Sequence, residues 1–176
     1  MIKTYKAVGV VLRQINLGEA DRLLTIFTQQ QGKLRLMAKG VRRLTSRKRG
    51  HLEAFTLVSL SCVAAKNLDL ITEAATINNF PVLRKNLNRV RIAYLFAELI
   101  DQLTAENQEN SAVYHLLIRS LSQLNAAVAP QNLILNFEQK LLEILGFGLP
   151  QTISQEALEA HIYAITEKTL NAKKIK

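Results

Sequence analysis

The side chains of this chain best equipped to engage another molecule lie between Lys33 and Arg49. That stretch, KLRLMAKGVRRLTSRKR, carries eight bases (Lys33, Arg35, Lys39, Arg42, Arg43, Arg47, Lys48 and Arg49) and no acid. Ammonium and guanidinium groups at this density suit a polyanion, because each one near a phosphate releases a condensed counterion. A merely solvated face would look the same in isolation. The distribution of charge along the chain favours the polyanion. Residues 1–50 hold 12 Lys and Arg against Glu19 and Asp21 alone, a net of +10, whereas residues 51–176 hold 11 bases and 12 acids, a net of −1. Such asymmetry points to a nucleic acid or an anionic membrane as partner of the first half.

Bond-making chemistry has little support. His51, His115 and His161 stand far apart with no Cys, Asp or Glu at metal-ligand spacing, so neither a metal nor another cofactor is expected. Glu138 and Glu143 are five apart and do not share a helix face, which makes them a poor acid–base pair. Gly146-Phe147-Gly148 follows no strand and precedes no Gly-Lys-Ser/Thr, so it reads as a helix stop. Cys62 continues the apolar parity of its strand and reads as core. No nucleophile has an adjacent base, and no catalytic centre is expected.

The elements that must position the bases follow from the hydrophobic periods. Leu34, Leu36 and Ala38 alternate with Lys33, Arg35 and Lys39, giving a strand with an apolar inner face and a cationic outer one. Gly40 breaks the pattern, and Arg42 to Gly50 reads as a loop. Ahead of it, residues 5–15 form a strand that Gly9 allows to bend. A turn spans Asn16 to Glu19. Residues 21–29 form a second strand, although Leu23, Leu24, Ile26 and Phe27 would also permit a short helix. Gln31-Gly32 then closes a hairpin. Beyond the loop, a strand runs from Phe55 to Cys62, and Lys66-Asn67 turns into another over 68–77 with Leu68 and Leu70 on one parity. Five short strands in under 80 residues suggest a small closed barrel. Its only aromatics, Tyr5, Phe27 and Phe55, read as core and not as base-stacking platforms.

From Pro81 the period becomes helical. Ile92, Leu95, Phe96, Leu99 and Leu103 mark a helix over 87–103, apolar on more than half its circumference and therefore central. After a polar break at Asn107 to Asn110, Val113, Leu117, Leu121 and Leu124 mark a second, ending near Val128. Pro130 opens a third, with Leu133, Phe137, Leu141 and Ile144 on one stripe, Glu138 and Lys140 off it, and Gly146 at the C-cap. Ser154 and Glu156 start a last helix through Leu158, Ile162, Ile165 and Leu170, ending in the tail Lys173 to Lys176. A lone cysteine fits a reducing compartment. No signal peptide is evident, and the longest uncharged stretch, Ser120 to Phe137, is too polar to span a membrane. A cytoplasmic protein is expected.

In this order the sequence resembles the RecO family of bacterial recombination mediators. The resemblance is carried by Leu17-Gly18-Glu19-Ala20-Asp21-Arg22 with Thr25 and Phe27-Thr28, by Gly32-Lys33-Leu34, and by Ala38-Lys39-Gly40-Val41-Arg42-Arg43 with Ser46-Arg47. Leu52-Glu53-Ala54-Phe55-Thr56, Leu68 to Ala74, Phe137-Glu138 and Leu145-Gly146-Phe147-Gly148 complete it. It implies an α+β protein: a five-stranded OB-fold DNA-binding domain over 1–79 and an all-α domain over 80–176, with no enzymatic activity. It further implies binding of single- and double-stranded DNA, strand annealing, and pairing with RecR to load RecA onto strands coated by single-strand-binding protein (SSB). The zinc-site cysteines of many family members have no counterpart here, position 54 is Ala where Pro is common, and the chain is shorter than a usual member. The eight bases would contact DNA. Arg119 and Lys140, if on neighbouring antiparallel helices, would rim a groove for the acidic, apolar tail of SSB. Fold alone does not fix function. The other reading is an OB-fold RNA- or ribosome-associated interaction module; a membrane-surface role is disfavoured because the charge lies on a strand and loop and not on an amphipathic helix.

Overall fold

The computed structural model describes residues 3–126 and 131–174. The chain divides into two compact units, one of Met1–Asn79 with Ala105–Tyr114, the other of Phe80–Thr104 with His115–Lys176.

The first unit is a barrel of β1 (Thr4–Leu17), β2 (Asp21–Thr28), β3 (Gly32–Ala38), β4 (Leu57–Val63) and β5 (Asp69–Asn78). It closes in the order β1-β2-β3-β5-β4, antiparallel throughout except where β3 meets β5, which is the OB-fold arrangement. One long strand has to serve two neighbours: Gly9 to Leu17 of β1 pairs with β2, and Thr4 to Val10 pairs with β4. Gly9 sits where the two pairings overlap. A Cβ there would lie 2.6 Å from the Phe27 carbonyl oxygen and 2.9 Å from Ile26 Cγ2. The strand can coil because that side chain is missing. β2, for which the composition also allowed a helix, is held as a strand by ladders on both sides.

Alternation in β3 and β4 places Leu34, Leu36, Ala38, Val58, Leu60 and Cys62 in one core with Val11, Leu24, Ile26 and Ile71. Phe27 and Phe55 are buried, and Tyr5 packs partly buried against the core. Some details differ from expectation: β1 runs on to Leu17, into the turn expected from Asn16 to Glu19, because Asn16 and Leu17 still pair with Arg22 and Asp21. β4 starts at Leu57 because Phe55 has φ +63°, outside the strand region, although its N–H still donates to Val11 O. On β5 the inward residue is Ile71, and Leu68 and Leu70 are half-buried. A bulge is the cause: Ser61 faces Glu73 but Cys62 faces Ile71, so one extra residue on β5 switches its parity.

The second unit contains α1 (Pro81–Arg84), α2 (Leu87–Leu103), α4 (Gln131–Leu145), α5 (Gln155–Thr166) and most of α3 (Ser111–Asn125). α2 buries eight residues from Ile92 to Leu103, and Phe96 stacks on Phe137 of α4 with centroids 3.9 Å apart. Local capping matches the sequence. Asn86 Oδ1 accepts Arg89 N, Ser154 Oγ accepts Ala157 N, and Gly146 (φ +74°) ends α4 in the left-handed conformation that glycine favours. The α1 N-terminus is capped from a distance: Asn125 Oδ1 accepts both Val82 N and Leu83 N. α5 stops at Thr166, where Glu167 turns left-handed, so Leu170 lies beyond it. The chain resumes as a 3-10 turn over Asn171–Lys174, held by Glu98, whose carboxylate accepts Asn171 N and Ala172 N at 2.8 Å each. Glu138, expected off the apolar stripe, is fully buried, and Gln155 Nε2 donates to its Oε2 at 2.8 Å. The expected helix end near Val128, the helix start at Pro130 and the last two residues of the lysine tail fall outside the described residues.

Candidate nucleic-acid interface

The basic loop is not a free tether. It leaves and re-enters the barrel core through two fully buried side chains, Val41 and Leu52. At its first end, Gly40 N donates to Asp21 Oδ1 (2.7 Å), Arg42 N to Ala20 O (2.9 Å) and Arg42 Nη1 to Gly18 O (2.9 Å). Successive turns follow, with Arg43 N donating to Gly40 O and Ser46 N to Arg43 O, before a 3-10 turn at Arg49–His51. At its far end the loop is fastened to β5. Lys48 Nζ donates to Ile71 O (2.8 Å), and His51 Nδ1 accepts Thr76 N (3.2 Å). Glu53 then meets Arg22 Nη1 at 3.2 Å. The segments 17–22, 38–43 and 52–56, separate in sequence, are therefore parts of one hydrogen-bonded assembly whose product is a fixed loop.

Of the eight bases, Lys39, Arg43, Arg47 and Arg49 are exposed. Arg42 is half-buried and uses one of its five N–H donors on Gly18. The other three are placed differently from a uniform cationic face. Lys33 is buried, at 6 % exposure. Arg35 is exposed but lies 3.7 Å from Glu106. Lys48 is half-buried on the Ile71 carbonyl; burial lowers its pKa, an effect opposed by the charge of Asp21. The cationic surface is thus the loop, more than the outer side of β3.

What covers β3 is the segment 105–110. Asn107 N donates to Lys33 O (2.9 Å), and Glu106 bridges Lys33 in parallel. Read locally, that segment is only a polar break, and nothing in its composition announces that it returns to a strand 70 residues earlier.

Arg119 and Lys140 are exposed on α3 and α4. Among the described residues α2 packs against α1 and α4, and α4 against α5. A cavity of about 240 Å³ lies along α2, α4 and α5 beside Arg91, Leu95, Ile134 and Glu159, and neither Arg119 nor Lys140 lines it. Among the described residues no cluster of His, Cys, Asp or Glu could hold a metal ion, and no helix is long and apolar enough to cross a membrane. His161 Nε2 lies 3.3 Å from Phe147 O. Cys62 is buried, and burial pushes its thiol up to about 11, far from a reactive thiolate.

The fold is a closed OB barrel with an anchored, largely exposed arginine-rich loop, followed by a helical unit. Two family models match in sequence: "Recombination protein O N terminal" over residues 1–80 and "Recombination protein O C terminal" over residues 84–152. Similar proteins include the DNA repair protein RecO of Roseiflexus sp. (37% identical over 145 residues, 82% of this chain and 51% of that one). Those of Pelotomaculum thermopropionicum (36%, covering 83% and 57%) and Gloeobacter violaceus (31%, covering 97% and 62%) are comparable. The chain belongs to the RecO family. It spans about half to three fifths of the length of these relatives.

Proposed function

We propose that this chain is a non-enzymatic DNA-binding recombination mediator, with residues 1–79 as its DNA-binding domain and 80–176 as a helical domain that contacts other proteins. The observation that carries this reading is the anchored loop. Lys39, Arg42, Arg43, Arg47 and Arg49 leave a scaffold that is buried at both ends, so little ordering entropy opposes their contact with phosphates. Among the described barrel residues Phe27 and Phe55 are core, and Tyr5 is half-buried with its hydroxyl donating to Asp69, so none offers an exposed stacking platform. Binding to single or double strands is then electrostatic and indifferent to base sequence. With about five phosphate contacts, the log–log salt slope on single strands is expected near −3.5. Changing all five residues to Ala should abolish most of that binding; affinity that is independent of salt, or unchanged in that variant, would remove the proposal.

The family supports a finer reading: annealing of complementary strands and, with RecR, loading of RecA onto strands coated by SSB. Annealing of SSB-coated complementary oligonucleotides without ATP tests it directly, and no acceleration by the protein would refute it. For the SSB tail, Arg119 and Lys140 are the proposed contacts. Titrating a labelled tail peptide into wild type and an Arg119→Ala, Lys140→Ala double variant decides that point, since equal affinities would exclude both residues.

A further inference from the structure

The segment 105–110 brings two acids and no base onto the side of β3 that carries Arg35. Its attachment has two separable parts. The backbone part is intimate: Asn107 N donates to Lys33 O at 2.9 Å. A Cβ on Gly32 would sit 1.8 Å from Gln108 O. The side-chain part is loose. Glu106 Oε1 lies 3.7 Å from Arg35 Nη1, with both side chains 46% exposed. A surface pair of this geometry is weak and salt-screened. The carboxylate can therefore swing away while the backbone of the segment stays in place.

We infer that Glu106 acts as an intramolecular stand-in for a phosphate: it occupies Arg35 while the protein is unbound and limits how far a nucleic-acid backbone extends from the loop onto β3. This rests on the DNA-binding reading above. Arg35 is then a reserve contact, reached only by a strand that outcompetes Glu106, and the loop remains the primary one. Glu109, exposed on the same segment, supplies the matched control, because it carries the same charge and no contact with Arg35 is seen.

The test compares Glu106→Gln, Glu109→Gln, Arg35→Ala and the Arg35→Ala, Glu106→Gln double variant, using a labelled oligothymidylate over a series of salt concentrations. Glu106→Gln is expected to tighten binding by up to about fivefold at low salt. It should also steepen the salt slope by about 0.7, as Arg35 becomes a further phosphate contact. Glu109→Gln should show at most a small gain with no change of slope, and the double variant should bind like Arg35→Ala. Equal effects of the two glutamine variants, or a gain that survives loss of Arg35, would overturn the inference. Elution from heparin separates this outcome from failure of the functional reading. If no variant binds the oligonucleotide, DNA binding falls; later elution of Glu106→Gln than of Glu109→Gln still supports the competition at Arg35, and co-elution overturns it.

Discussion

Replacing Lys48 by Met would separate a phosphate contact from a structural one at a single position. Methionine keeps most of the apolar stem and removes both the charge and the donor. In the folded chain one of the three Lys48 N–H donors goes to Ile71 O at 2.8 Å. Hydrogen bonds from charged groups contribute about 1.5–3 kcal/mol. Lys48 is only half-buried, so solvent screening reduces this to a net loss of roughly 1 kcal/mol. For a unit the size of the barrel that corresponds to a Tm lowered by about 4–8 °C. The DNA readout runs the other way: a residue that touches no phosphate leaves the salt slope unchanged, whereas Arg43→Ala or Arg49→Ala should each flatten it by about 0.7. Thermal melts together with anisotropy titrations over a range of salt give both numbers on the same samples. A Lys48→Met protein with unaltered Tm and a slope flattened by about 0.7 would refute the reasoning and return Lys48 to the contact surface.

Three further outcomes follow from the described contacts. Asp21→Ala removes the acceptor of Gly40 N at 2.7 Å; about 1–3 kcal/mol of local stability should go with it, seen as faster amide exchange over residues 40–43. Alkaline pH should weaken the barrel. The Cys62 thiol is raised by burial from 9.0 to about 11, so its contribution is full below pH 9 and lost as pH rises through 11, roughly 2–3 kcal/mol at most. Tyr5, raised chiefly by burial and also by its bond to Asp69, has the same sign above pH 10; Cys62→Ala should flatten the denaturation profile between pH 9 and 11. Phe96→Ala leaves a cavity against Phe137 and should cost about 3–5 kcal/mol in the helical unit, lowering its melting transition while the salt slope of DNA binding stays at the wild-type value.

Much of this architecture is legible wherever a period is uninterrupted. The strand of Leu34, Leu36 and Ala38 and the helix over 87–103 emerge with their inward faces already assigned. Legibility fails where geometry is set by something distant or by a single extra residue. The bulge between Ser61 and Cys62 reverses the parity of β5 and hides Ile71's role behind Leu68 and Leu70. Lys33 shares its parity with Arg35 yet is buried, because a segment from beyond α2 lies on it. The charge of Glu138 placed it outside the core; Gln155 on another helix makes its burial tolerable. The cationic loop was legible as charge alone. Its anchoring depends on Val41 and Leu52, two isolated apolar residues with no periodic neighbours to mark them.

The parallel junction between β3 and β5 has a consequence for the order in which this barrel can assemble. It consists of two register pairs, Leu36 with Asp69 and Met37 with Leu70, joining residues more than thirty positions apart. The β1-β2-β3 meander and the β4–β5 hairpin need only short turns, so they can form early, whereas this seam and the β1–β4 joint must wait for long loops to close. Across the seam runs the arginine-rich loop, which starts from β3 and is tied to β5 through Lys48 and His51. The cationic segment is therefore also a latch across the barrel's thinnest joint, and under the proposed function a nucleic-acid strand held on it would act against opening there.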